Sequence, residues 1–215
     1  MTRTGARAAA LSELLEAGGL TAAERPPRPR INEVPGVARV RIDDVYRALN
    51  GNPDLLHQAK PDAFDLCVSA ADGPVIVELD EEQHFNRYRA TTLSFPWAEA
   101  LPWLSAYRDY ARLHEADLAR KFISGGRWTN ASAPRYFGTA SAPGDFTGVG
   151  SPRWRQRAFY DAVKDLLPGI RLARIAVFDV VDGRPLEAIL RSKDHSAAGP
   201  IRRLVESRTH SWPTS

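Results

Sequence analysis

Three carboxylates and an imidazole stand close together in "AFDLCVSAADGPVIVELDEEQHFNRYR", residues 63–89. The apolar run from Val75 to Val77 goes straight into Glu78, Asp80, Glu81 and Glu82, with Gln83 and His84 directly behind. Side chains alternate across a strand, so Ile76, Glu78 and Asp80 share one face while Val75, Val77 and Leu79 share the other. Asp65 lies thirteen residues before Glu78, on the preceding apolar run. A turn at Ala71-Asp72-Gly73-Pro74 folds the two runs into a hairpin. Pairing of Val68–Ala70 with Val75–Val77 then brings Asp65 opposite the Glu78–Asp80 end.

Carboxylates gathered in this way repel one another, raise each other's pKa and destabilise the fold unless a cation sits among them. Hard oxygen ligands suit Mg²⁺, which keeps several waters and bridges to substrate phosphates; Mn²⁺ takes the same donors. Such an ion orients a water and stabilises charge on a scissile phosphate. His84 or Gln83, just beyond the strand, is placed to hydrogen-bond that water or the leaving oxygen. The chemistry indicated is metal-dependent phosphodiester hydrolysis. The plain alternative is a solvated acidic strand end with a surface histidine, and spacing alone leaves both readings open.

The elements that must hold these residues follow from periodicity and breakers. Residues 5–18 read as a helix with Leu11, Leu14 and Leu15 on one face, ended by Gly18-Gly19. Residues 24–36 carry four prolines and exclude regular structure. Residues 41–52 read as a short helix stopped by Asn-Gly, and 63–80 as the hairpin. Residues 99–123 form the longest expected helix, with Pro102 in its first turn. Glycine, serine, threonine and proline from 124 to 152 predict an irregular loop. A helix over 153–169 is closed by Pro168-Gly169, a final core strand runs over 170–183, and the polar tail from Arg191 is expected to fray. The order predicts a mixed α/β domain around a modest sheet. Its core lies in about 5–88 and 153–190, with a helical and looped insertion over 89–152.

Composition narrows the class. Hydrophobic residues make up 43% and charged residues 26%, as in globular chains. No run of roughly 18 apolar residues predicts a membrane span. Glu13 and Glu16 interrupt the apolar N-terminal stretch, which fits an amphipathic helix better than an export signal, so a cytoplasmic location is expected. Cys67 is the only cysteine; it predicts no disulfide and reads as a small buried strand residue. Net charge is +3 with a pI of about 9.2, and 25 of the 29 basic residues are arginine. Guanidinium forks match phosphate oxygens, although a GC-rich genome would produce the same bias.

Asp65 in "AFDL", a turn, and "VIVELDEEQHF" together resemble the hydrophobic–Asp hairpin and the "IEYDGEQHY"-like strand of the PD-(D/E)XK nuclease superfamily. The similar branch is that of the very-short-patch repair endonucleases. Downstream, Asp161, Lys164 and "IRLARI" (170–175) match that branch's D-x-x-K helix and following strand. The two blocks, 60–88 and 153–180, cover roughly a quarter of the chain. The resemblance implies a restriction-endonuclease-like core and a Mg²⁺-dependent DNA endonuclease. Asp65, Glu78 and Asp80 would be metal ligands, Gln83 and His84 would position water, and Lys164 would supply a positive charge beside the phosphate. Glu13 or Glu16 would complete the acidic set.

Two departures matter. The family's Asp-Gly step is here Asp80-Glu81, and no lysine directly follows the Glu78 element. They keep a catalytically inactive nuclease-fold protein that binds DNA or a partner as the alternative. Trp97, Trp103, Trp128, Arg127, Arg135 and Tyr136 in the insertion read either as a base-stacking surface or as core of an accessory subdomain. RNA is open to the same chemistry. No recognition module is evident, so specificity would come from the insertion, a second copy of the chain or a partner protein.

Overall fold

The computed structural model describes residues 5–121 and 123–214. Residues 1–4 of the N-terminal stretch, and Phe122 of the expected long helix, lie outside them. In chain order the helices and strands begin with α1 (Ala6–Ala17), α2 (Gly36–Ala48), β1 (Leu66–Ala70) and β2 (Gly73–Asp80). Next come α3 (Arg87–Thr92), α4 (Leu104–Lys121), α5 (Ala133–Phe137), α6 (Pro152–Asp165) and β3 (Arg171–Ala176). The last are β4 (Val180–Val181), β5 (Arg184–Pro185), α7 (Leu186–Ser192), α8 (Ala198–Ser207) and β6 (His210–Ser211). The architecture is mixed α/β, with one four-stranded mixed sheet in the order β1-β2-β3-β6 and a small β4-β5 ribbon.

β1 and β2 pair antiparallel as expected, but with Val68 opposite Val75 and Ala70 opposite Gly73, a register two residues tighter than a turn over Ala71–Pro74 would give, because Gly73 and Pro74 belong to β2. The turn is tight, and Gly73 closes it at φ 105, a conformation costly for a residue with a Cβ. β2 then pairs parallel with β3, placing Glu78 beside Arg174 and Asp80 beside Ala176. Both faces of the sheet are covered. Val75, Val77, Leu79, Ala173 and Ile175 pack against α1, α7 and α8. Ile76, Leu172 and Ala176 pack against residues of α2, α4 and α6. Glu78, Asp80 and Arg174 have the parity of this second face, so the chain drives charged groups into a layer between sheet and α6.

Three further expectations are corrected. The long helix starts at Leu104, not residue 99, because Pro102 has no N–H to give and disfavours helix in the residue before it. The 124–152 segment contains α5 and a 3₁₀ turn. Of the two readings of the 89–152 aromatics, core is the one that holds: Trp97, Trp103, Trp128 and Tyr136 are buried, and they join the main core. The tail after Arg191 does not fray, because Ile201 and Val205 of α8 are buried in the core shared with α1 and β6 pairs with β3. Among the described residues, no helix is long and apolar enough to cross a membrane. Cys67 is a free, buried strand residue.

Candidate active site

The hairpin register sets the first pair. Asp65 sits one residue before β1 and comes opposite Glu78, and each grips the other's strand. The Asp65 amide donates to Glu78 Oε1 (3.1 Å), and the Leu79 amide donates to Asp65 Oδ2 (3.0 Å). From α6, Lys164 Nζ donates to Glu78 Oε2 at 2.6 Å and to the Ala63 carbonyl at 3.0 Å. Glu78 is only 2% exposed. Burial pushes its carboxyl up to about 7, against the opposing pull of the Lys164 ammonium. Burial also raises Asp65, partly offset by the Leu79 amide.

Asp80, two residues on and 1% exposed, is engaged elsewhere. Arg174 Nη1 donates to both its oxygens (2.8 and 2.9 Å), and the Tyr107 hydroxyl donates to Oδ2 (2.7 Å). The same guanidinium reaches Asp165 Oδ1 through Nε (2.5 Å) and the Asp161 carbonyl through Nη2 (3.1 Å). Arg89 adds a second cation at Asp165 Oδ2 (2.8 Å). An unpaired buried arginine would be ruinous to the fold; three surrounding aspartates make Arg174 the hub of this layer.

His84 links the two groups. Its Nδ1 lies 2.8 Å from Asp161 Oδ2 and 3.1 Å from Asp80 Oδ1. Both aspartates are held below the ordinary carboxylate range. Burial works against this, but Arg174 and His84 outweigh it at Asp80, as His84 and Arg174 do at Asp161. Two carboxylate acceptors on one ring nitrogen require that nitrogen to carry the proton, which leaves Nε2 with the lone pair in the neutral imidazole. Asp80, His84 and Asp161 also each offer a ligand atom within 4.8 Å of the other two, near enough to share a metal ion. With Arg174 already on both aspartates, that position is the less inviting one for a cation.

A cleft of about 340 Å³ opens over the first group, lined by Asp65, Glu78, His84, Arg157, Asp161 and Lys164 among others. Gln83 faces it indirectly, its Oε1 accepting from Arg157 Nη1 at 2.6 Å. Of the six residues singled out in the sequence, Asp65, Glu78, His84 and Lys164 line the cleft. Gln83 orients Arg157, and Asp80 lies beneath, locked to Arg174. Glu13 and Glu16 do not complete the set: Glu13 pairs with Lys193, and Glu16 points to solvent. What α1 supplies is Arg7, which binds Glu81, Glu82 and Glu187 and so neutralises the acidic run after β2. Glu81 takes an extended conformation (φ −76, ψ 171), so the step where the resembled family has glycine makes no demand for glycine here.

Sequence reasoning assigned no role to Arg157, Arg174, Tyr107 or the Asp161 carboxylate. Arg174 did carry a signal, being a charged residue at the inward parity of a core strand between Leu172 and Ala176.

No curated protein and no solved structure matches this chain. Residues 44–192 match the family described as "Family of unknown function (DUF7255)", a span that takes in every cleft residue from Asp65 to Lys164 and the whole segment between Arg87 and Arg153. The chain therefore belongs to that family.

Proposed function

We propose that the protein is a metal-dependent phosphodiesterase of the PD-(D/E)XK type, with DNA the favoured substrate and RNA open to the same chemistry. The observation that carries this reading is the Asp65–Glu78–Lys164 group. It consists of two carboxylates locked in register across a hairpin, with a lysine on the second at 2.6 Å, all facing one cleft. The order of α1, hairpin, α6 and parallel β3 is compatible with a restriction-endonuclease-like core.

The donor set fits Mg²⁺ or Mn²⁺. Asp65 spends one oxygen on the Leu79 amide and keeps the other, and each Glu78 oxygen retains a lone pair beyond its one hydrogen bond. A divalent ion on Asp65 and Glu78 would supply charge stabilisation at the scissile phosphate and a more acidic bound water. The chain's own groups do the rest. His84, held by Asp161, offers Nε2 to take the proton of the attacking water. Arg157, aimed by Gln83, offers its guanidinium to a phosphate oxygen. Asp80 serves as a positioning residue, fixing Arg174 and the His84 ring.

The 2.6 Å Lys164–Glu78 bond also suits a second reading, a nuclease-fold protein that binds nucleic acid without cutting it, because the lysine already neutralises the carboxylate. Incubation of supercoiled plasmid and short oligonucleotides with Mg²⁺, Mn²⁺ or EDTA separates them. Metal-dependent cleavage that is lost in Glu78→Gln supports hydrolysis. Binding without cleavage under every metal supports the second reading.

A further inference from the structure

A larger cleft of about 620 Å³ adjoins the first, and Asp62 and Tyr160 line both. Its cations are Lys60, Arg135 and Arg153, against one carboxylate, Asp62. The way these arginines are held is informative. Arg135 donates to Gln58 Oε1, Arg153 to Gln156 Oε1 at 2.7 Å, and Arg157 in the first cleft to Gln83 Oε1 at 2.6 Å. Among the described residues none of the three lies within ion-pair distance of a carboxylate. Elsewhere arginines such as Arg7, Arg39, Arg87, Arg174 and Arg208 do. An amide oxygen fixes a guanidinium without cancelling its charge, so these forks are oriented and still free to take an anion.

Gln156 is itself buried and braced, accepting from Asn130 and donating to Ser132 and Tyr160, so the Arg153 fork is built into the fold. Arg153 and Arg157 are four residues apart on α6, and Tyr160, Asp161 and Lys164 continue the same face toward Glu78. That row runs about 16 Å along the helix axis.

We infer that the joined clefts form a phosphate track that feeds a single-stranded nucleic acid along α6 to Asp65 and Glu78. This rests on the hydrolase reading of that site and names its substrate. A duplex is a stiff rod that presents its phosphates on the outside. Glu78 lies at 2% exposure within a concave site, which a flexible strand can enter and a rod cannot follow. A cationic groove tracking the backbone is how single strands are held without sequence preference.

The test measures binding of a fluorescent oligothymidine and of a duplex of equal length by anisotropy in EDTA, between 50 and 200 mM salt. Wild type, Arg135→Gln, Arg153→Gln and the distant control Arg112→Gln are compared. We expect the single strand to bind more tightly than the duplex. Each cleft variant should shallow the log K against log salt slope by about 0.7, with the control unchanged. Tighter duplex binding, cleft variants with wild-type slopes, or no binding of either oligonucleotide would overturn the inference. Cleavage with Mg²⁺ is scored separately. Preferential duplex cleavage would sink the single-strand track and leave the hydrolase reading, whereas single-strand binding without cleavage would do the reverse.

Discussion

Lys164 on α6 sets its ammonium 2.6 Å from Glu78 Oε2 on β2, so a carboxylate at 2% exposure carries its own counter-ion from a different element. The pair ties helix to sheet at the point where the cleft chemistry is proposed. Every perturbation of one partner must therefore be read on the other.

Lys164→Met leaves Glu78 buried without its cation. We expect a loss of about 3–5 kcal/mol at pH 8, where the carboxyl must ionise unaided. The loss should be clearly smaller at pH 5, where Glu78 keeps its proton. Urea denaturation at the two pH values checks this, and equal losses would contradict it.

Metal affinity should follow the same carboxyl. With Glu78 at about 7, protons compete with a divalent ion below that pH. Mn²⁺ affinity is expected to rise from pH 5.5 to about 7 and level off above. A calorimetric titration series reads this directly, and a flat profile would place the ion elsewhere.

The metal-free protein carries two opposed pH terms. Asp80 and Asp161 are depressed, so their stabilisation is present above the ordinary aspartate value of about 3.9 and is lost as pH falls below it. Glu78 is raised, so its contribution is full below 4.5 and is lost as pH climbs through about 7. Thermal melts across pH should show a maximum between these limits. Arg174→Met should destabilise by about 3–5 kcal/mol near neutrality and by less at pH 3, where Asp80 and Asp161, no longer held down by the guanidinium, can take up protons in the variant.

Asp161→Asn tests the base. An amide in place of the carboxylate can donate to His84 Nδ1 and shift the ring proton to Nε2, which removes the lone pair. Cleavage should drop by about 10²-fold or more, with metal binding retained. Because Asp80 Oδ1 also faces Nδ1, His84→Ala is run beside it, and unchanged cleavage in both variants would remove His84 from the proposed mechanism.

What was legible in the sequence was local. Alternation in residues 75–80 and one glycine turn determined the hairpin and brought Asp65 to the Glu78–Asp80 end, while the tighter turn decided that it meets Glu78. The leucines of α1 announced their buried face at helical spacing. The partner of Asp80 was hidden because it is spatial: Arg174 lies 94 residues away and meets Asp80 only once β3 docks parallel to β2. The same holds for Tyr107, whose segment looked like an insertion apart from the core yet buries its ring against Phe85 and its hydroxyl on Asp80. The tail misled because its composition is polar on average, whereas α8 sorts its few apolar residues onto one face. Mean composition does not reveal that pattern.

Mn²⁺ binding followed by electron paramagnetic resonance at pH 7.5, in wild type, Glu78→Gln and Asp161→Asn, tests the placement of the metal most directly. We expect binding in wild type and in Asp161→Asn, and its loss in Glu78→Gln. Binding that survives Glu78→Gln but disappears in Asp161→Asn would move the ion to the Asp80–His84–Asp161 group, and absence of binding in wild type would contradict a metal-dependent hydrolase.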